Sequence, residues 1–500
     1  MKSFHPFSIV LIFCLGTLVY SNTFFSSFHF DDHRFIINNF AIRNIQDLQD
    51  IWRFYPCRFV AFLSLALNYH FNGLNVFAYH LFNLAVHLVS AISVWWLTLL
   101  TLSTPAMKED KITRHAGFIA LFAGLVFVSH PLQTEAVTYI WQRTATMAAM
   151  FYLVSLCLYV KSRLPCQPPG LTRFYYLCSL LTAIVAMFTK ETAITLPLII
   201  LLYEFMFIGG KGNLNWKPVI PFLFTIFIIP WTLLLAHSEK VPYVQGSVEE
   251  HGGISRMQYI LTQLRVTVTY IRLVFLPFNQ NLDYDYPVFK KIFEIPVFIS
   301  FLILMAILFW AKQMFSKYRL ISFSIFWFFL TLLPESAPFP LKDVIFEHRL
   351  YLPLVGSSIF LVSSAYYLWR DNAVQKLMVA LTLIVACYSV MTYQRNKVWK
   401  DELTLWDDTV QKSPHKARPY HNRGTAYERQ GNLTQAIFDF SKVIEINPNY
   451  AQVYKDRAVL YYKLRVYDKA WGDVHKAEGL GQVVDPQFIN ALNVVSGRER

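Results

Sequence analysis

Apolar runs dominate most of the chain, and a polar, periodic segment fills the rest. A helix that crosses a bilayer needs roughly 20 mostly apolar residues. That requirement predicts spans near 7–28, 76–103, 116–130, 144–161, 174–190, 192–208, 218–237, 295–311, 319–334, 352–369 and 375–393, eleven in all. Residues 51–72 and 254–276 are apolar but interrupted by Arg53, Arg58, Arg265 and Arg272. They suit helices lying in the interface rather than across it. The first run lacks a small-x-small cleavage site and ends in aromatic residues, so it is expected to persist as an uncleaved span.

The loops supply an orientation. With Lys2 in the cytoplasm, the even-numbered connections face the same side. They carry Lys108, Lys111 and Arg114; Lys161, Arg163 and Arg173; Lys211 and Lys217; Lys312, Lys317 and Arg319; and Arg370 and Lys376. Each is short and basic, as cytoplasmic loops are. An odd number of spans then places the tail, from residue 394, on the outer side with Asp31. The expected division is a membrane domain over 1–393 and an extracytoplasmic domain over 394–500.

That tail repeats with a period of 34: Ala417 with Ala451, Tyr420 with Tyr454, Arg423 with Arg457, Tyr427 with Tyr461, Ala436 with Ala470, Asp439 with Asp473. This is the tetratricopeptide register, two helices per unit, with units over 417–450 and 451–484 and a partial one over 401–416. So short an array buries little core, which implies support from the membrane domain or a bound protein partner. The fold class is all-α: a polytopic membrane bundle followed by an α-solenoid.

Composition narrows the function. Hydrophobic residues make up 55% and charged residues 15%, against about a quarter charged in soluble domains. The net charge of +13 sits almost wholly in the short loops, a topology signal that excludes a nucleic-acid face. The cysteines (Cys14, Cys57, Cys157, Cys166, Cys178, Cys387) form neither a disulfide framework nor a metal spacing. No Gly-rich phosphate loop or serine nucleophile elbow occurs.

Charge at the membrane boundary carries the candidate chemistry. Asp31 and Asp32 follow the first span directly. One carboxylate could take a proton from an attacking alcohol while its neighbour orients it. The pair could instead bind Mg²⁺ or Mn²⁺, or simply cap a helix. His130-Pro131 breaks the chain before Glu135, and Arg143 opens the next span. Those last two share a face if the helix is continuous, as an ion pair or with Arg143 gripping a phosphate. Lys190 and Glu191 sit between apolar runs with no polar loop around them. Glu347-His348-Arg349 forms another rim cluster able to hold an anion, and His80, Asn83 and His87 form a polar stripe suited to interhelical hydrogen bonds. Arg143, Lys190 and Arg349 are thus candidate phosphate ligands, with His80, His130, Glu135, Glu191, Glu347 and His348 in support. Carboxylates beside cations suit transfer of a sugar from a lipid-linked phosphate, whose developing charge the cations stabilise. A non-catalytic membrane scaffold recruiting partners through the repeats is the alternative; a transporter would show symmetric halves.

These residues also carry a resemblance. Phe30-Asp31-Asp32, Tyr79-His80-Leu81-Phe82-Asn83-Leu84, His130-Pro131-Leu132-Gln133-Thr134-Glu135, Lys190-Glu191-Thr192-Ala193 and Glu347-His348-Arg349-Leu350-Tyr351, in this order and with the repeats, resemble the transmembrane and tetratricopeptide-repeat O-mannosyltransferases and their bacterial relatives. The resemblance implies a GT-C glycosyltransferase bundle in a cell membrane, a bacterial one for the short-array relatives. It implies an inverting transfer of a sugar, typically mannose, from a polyprenyl-phosphate donor to a protein hydroxyl on the outer side. It implies that Asp31 and Asp32 are catalytic.

Overall fold

In lipid every backbone donor and acceptor must be satisfied within the chain, which leaves helices as the available element for these apolar runs. The computed structural model describes residues 5–165, 167–209, 214–238, 254–336, 340–341, 343–369 and 374–497. Lys2, Cys166, Lys211 and Arg370 lie outside these, as do parts of the two long loops after residues 238 and 336. Among the described residues all regular structure is helical.

The chain forms two compact units, Met1–Gln280 with Pro287–Lys397, and Asn281–Tyr286 with Val398–Arg500. In the first, α1 (His5–Val19) leads to α2 (Leu48–Phe54), α3 (Phe59–Asn72), α4 (Val76–Leu102), α5 (Ala116–Ser129), the short α6 (Gln133–Thr138), α7 (Arg143–Arg163) and α8 (Pro169–Met187). Then come α9 (Leu196–Tyr203), α10 (Ile220–Thr225), α11 (Ile228–Ser238), α12 (Arg256–Phe275), α13 (Ile295–Met314), α14 (Arg319–Ser336), α15 (Pro353–Trp369) and α16 (Val374–Val398). Eight helical stretches are long and apolar enough to cross a membrane: Val76–Leu102, Lys111–Ser129, Ile140–Arg163, Pro169–Met187, Glu191–Ile208, Ile295–Met314, Arg319–Ser336 and Val374–Val398. The chain is a multi-pass membrane protein.

The other three expected spans are helical but shorter or broken. The first ends at Val19 rather than near 28. Beyond it Ser21 Oγ and Thr23 Oγ1 donate to the carbonyls of Leu18 and Tyr20, both at 2.8 Å, a local bonding that competes with helix continuation. The seventh divides into α10 and α11 ahead of Pro230, which has no N–H to return to Ile226. The tenth becomes α15, 17 residues long.

Helices α4, α5 and α7 form the interior, with 72% of their most apolar windows buried, against 22% for α8, α13 and α16. Close approach is built in at Gly356, where a Cβ would lie 2.7 Å from the Ser324 carbonyl and the Trp327 ring, so α15 can lie directly on α14. The polar stripe of α4 is spent inside the bundle. His87 Nδ1 meets Tyr351 Oη at 2.8 Å, and Asn83 Nδ2 donates to the Val137 carbonyl at 3.2 Å.

The second unit holds α17 (Glu402–Lys412), α18 (Ala417–Arg429), α19 (Leu433–Ile446), α20 (Ala451–Lys463), α21 (Tyr467–Gly479) and α22 (Pro486–Ser496). The small residues of the 34-residue repeat lie where paired helices touch, with Ala436 and Ala470 fully buried. Each repeat carries the same cross-helix fork, Arg423 on Asp439 and Arg457 on Asp473, at 2.8 to 2.9 Å. The segment 281–286 adds its own ion pairs, with Asp283 facing Arg418 and Lys416.

Candidate functional site

The site begins with backbone strain. Phe30 has φ 45°, a left-handed conformation that a bulky residue seldom adopts. A π-helical stretch, His33–Ile37, follows the acidic pair. Strain of this kind persists where the surroundings enforce it, often at functional sites. Here the enforcement comes from Asp32. Its Oδ2 accepts the His29 N–H at 2.9 Å and its Oδ1 accepts the Trp141 N–H at 2.7 Å. His80 Nε2 donates to the Ser26 carbonyl at 3.0 Å and so fixes the approach to the turn.

Asp32 is fully buried while Asp31 is half-exposed. Burial pushes the Asp32 carboxyl well above its ordinary range; the two backbone N–H groups oppose that shift, and the Asp31 charge adds to it. The Asp31 N–H donates to Tyr139 Oη at 2.9 Å. Burial first, then the charges of Asp31 and Asp32, raise the Tyr139 phenol well above 10, so it stays a neutral hydrogen-bonding group. Two neighbours in sequence are thereby given different work. Asp32 holds the backbone, and Asp31 is only half-buried and lies against Tyr139.

Glu135 lies one helical turn before Tyr139, about 6 Å of rise. It turns to the 347–350 segment, where Oε2 accepts the Glu347 N–H at 2.9 Å and Oε1 meets His348 Nδ1 at 2.6 Å. Burial raises the Glu135 carboxyl, with the Glu347 charge adding to it. Burial also lowers His348, helped by the Lys190, Arg349 and Arg58 cations. Both shifts oppose charge on the pair. Glu347 Oε2 accepts Gln280 Nε2 at 2.7 Å.

The cations close the other side. Lys190 Nζ lies 3.2 Å from Glu335 Oε1, and Arg349 Nε lies 3.0 Å from Glu335 Oε2. The Arg349 fork also donates to the carbonyls of Asp343 and Val344. Arg58 bonds Glu191 at 3.1 Å, and Tyr55 Oη donates to the same carboxylate at 2.9 Å. The Arg58 guanidinium also sits 5.7 Å from the centroid of Trp141, the residue whose N–H anchors Asp32. Trp141 and Arg58 thus link the anchor of Asp32 to Glu191.

The expected rim residues fall into local groups: Asp31 and Asp32 with Tyr139 and Trp141, Glu135 with Glu347 and His348, Lys190 and Arg349 on Glu335, and Glu191 on Arg58. Arg143 joins none of them. The helix is broken between α6 and α7, so Arg143 and Glu135 share no face. Arg143 is fully buried, its guanidinium donating to Asn83 Oδ1 at 2.7 Å, Asn68 Oδ1 at 2.5 Å, and the carbonyls of Tyr79 and Ser64. Unlike Arg349, which meets a carboxylate and lines a cavity, Arg143 bonds only neutral groups inside the bundle, so its expected donor role gives way to tying α3, α4 and α7 together. His130 is likewise structural, with Nε2 donating to the Val274 carbonyl at 2.9 Å. Sequence reasoning passed over Arg58, Tyr139, Gln280 and Glu335. Arg58 was assigned to an interfacial helix; the uncompensated charge of Glu191 was the signal that a cation had to meet it. Among the described residues no group of three His, Cys, Asp or Glu side chains is placed to hold a metal ion.

The tetratricopeptide-repeat family model matches residues 417–450. Protein O-mannosyl-transferase TMTC3 of Homo sapiens is 24% identical over 494 residues, covering 88% of this chain and 51% of that protein. Protein O-mannosyl-transferase Tmtc3 of Drosophila melanogaster is 24% identical over 77% of this chain and 48% of its own length. Protein O-mannosyl-transferase tmtc2 of Xenopus laevis reaches 31% identity over 40% of this chain and 24% of its own. A crystal structure of ArnT from Cupriavidus metallidurans bound to undecaprenyl phosphate overlaps 90% of this chain and 80% of that one, at 13% identity and a TM-score of 0.44. The chain spans about half the length of the relatives it matches, and over most of its own length it is similar to the protein O-mannosyl-transferases.

Proposed function

We propose that the protein is a GT-C-type membrane glycosyltransferase that moves a sugar, mannose by similarity to its relatives, from a polyprenyl-phosphate donor to a protein hydroxyl. The observation that carries this reading is the division of labour at the rim. Asp31 is half-buried next to a fully buried Asp32 that anchors its turn, while two nearly buried cations, Lys190 and Arg349, meet on a single carboxylate, Glu335.

In the proposed step, the acceptor oxygen forms a bond to the anomeric carbon on the face opposite the phosphate. Asp31 takes the hydroxyl proton as that bond forms. The bond from the anomeric carbon to the phosphate oxygen breaks, its electron pair leaves with the phosphate, and the anomeric centre inverts. Lys190 and Arg349 stabilise the charge that collects on the leaving group, so no acid need protonate it. Asp32 and Tyr139 position Asp31. The N-terminus lies in the cytoplasm, and the acidic loop and the repeats lie on the outer side, where the repeats recruit the acceptor.

The test uses the full chain in lipid nanodiscs with polyprenyl-phosphate mannose and a serine- and threonine-rich acceptor protein. Mass spectrometry should show hexose gained by the acceptor with the wild type and none with Asp31→Asn plus Asp32→Asn. Undiminished transfer by a correctly inserted double variant would leave the scaffold reading in its place.

A further inference from the structure

Lys190 and Arg349 face one small cavity, about 20 Å³, and a single carboxylate answers both. Glu335 presents Oε1 to the lysine at 3.2 Å and Oε2 to the arginine at 3.0 Å. One oxygen to each cation is the arrangement the two non-bridging oxygens of a phosphodiester would take in the same place. All three side chains are nearly out of water, at 8%, 5% and 12% exposure for Lys190, Arg349 and Glu335. The cavity that remains is about the size of a water, and Glu335 lies on both cations, so a phosphoryl group reaches them only in its place.

We propose that Glu335 is an internal anion occupying the seat of the donor phosphate, and that the lipid-linked phosphate binds by displacing it. The proposal rests on the reading of the site as a polyprenyl-phosphate site. Its physical logic is twofold. Two desolvated cations without an anion are costly, so an empty site needs a counter-ion of its own. After transfer the product is a phosphate monoester, which carries up to about two charges near neutral pH against one on the diester donor. It would hold the cations more tightly than the donor does, and a carboxylate poised to return would hasten its release.

The movement required is local. Glu335 lies in the last turn of α14, directly after Pro334, which cannot bond back to Leu330. Its carbonyl accepts Tyr259 Oη at 2.8 Å, so the backbone is pinned and the side chain swings. Thr331, one turn earlier on the same face, lines the same cavity.

The experiment measures binding of a long-chain polyprenyl phosphate to the full chain in nanodiscs by native mass spectrometry. The proteins are the wild type, Glu335→Gln, Glu335→Asp and Lys190→Gln, with inorganic phosphate as a second probe and thermal melting as the check on folding. Glu335→Gln should bind the lipid phosphate about tenfold more tightly than wild type, because the competing charge is gone. Glu335→Asp, too short to meet both cations, should shift in the same direction and serves if the glutamine variant does not fold. Lys190→Gln should weaken binding. Unchanged or weaker binding in both Glu335 variants, with Lys190→Gln still weakened, would make Glu335 a structural bridge and overturn this proposal alone. Binding indifferent to Lys190 and Glu335 alike would remove the lipid-phosphate site as well. Inorganic phosphate bound as tightly as the lipid, with the same gain in Glu335→Gln, would overturn the assignment to a lipid-linked anion.

Discussion

Asp31 and Asp32 show how far two identical neighbours can diverge. The carboxylate of Asp32 accepts two backbone N–H bonds, and an amide in its place must turn an NH₂ toward one of those donors. Asp32→Asn is therefore expected to lower the melting temperature together with activity. Asp31 carries its charge at the half-exposed face, so Asp31→Asn should spare the fold and cut kcat by about a hundredfold or more, the usual worth of a positioned base. Donor affinity should hold. Parallel melting and transfer measurements decide the matter: an Asp32→Asn protein that melts like the wild type yet transfers nothing would exchange the two roles. The pH dependence follows from the raised Asp32 carboxyl. Folded Asp32 keeps its proton over a range where the unfolded chain has lost it. That contribution is complete below the ordinary carboxyl value and declines as pH rises through the folded one. The melting temperature of the wild type relative to Asp32→Asn should accordingly fall with rising pH across that window.

Among elements, the break between α6 and α7 decides what Arg143 can do. Starting a helix at Arg143 sends its side chain into the bundle, where it bonds residues of α3 and α4. A lysine has one rotatable ammonium and cannot span those acceptors. Arg143→Lys should lower the melting temperature by several degrees while leaving the Kd for polyprenyl phosphate unchanged; a selective loss of donor affinity would return Arg143 to the site. The same element shows what was legible in the sequence. Apolar runs of spanning length and a 34-residue period announce themselves over consecutive residues, and both are present as helices. The acidic pair stood out because carboxylates beside a bilayer are expensive. Arg58, Tyr139 and Glu335 gave no such signal, because their meaning depends on partners far away in the chain. Arg58 and Glu191 are 133 residues apart, and His348 and Glu135 are 213 apart. The end of α1 is hidden for a different reason: hydroxyls at 21 and 23 that read as neutral in an apolar run bond the carbonyls of Leu18, in its last turn, and Tyr20, just past it.

For the whole molecule the decisive quantity is which side of the membrane each unit occupies. The proposed orientation, with the N-terminus inside, carries both Asp31 and the repeats outward. Transfer to a protein held by the repeats requires them on one side, so the function fails if topology separates them. Single cysteines in a cysteine-free background can test this: Phe40→Cys in the first outer loop, Val483→Cys in the second unit and Glu109→Cys in a basic loop are all at exposed positions. A membrane-impermeant maleimide added to intact cells should label the first two and spare the third, which should react only after permeabilisation. Labelling of Phe40→Cys and Val483→Cys from opposite sides would defeat acceptor recruitment by the repeats even if Asp31 proved essential. Labelling of Glu109→Cys alone would invert the chain and place the acidic pair with the cytoplasm, where no outward-facing hydroxyl could reach it.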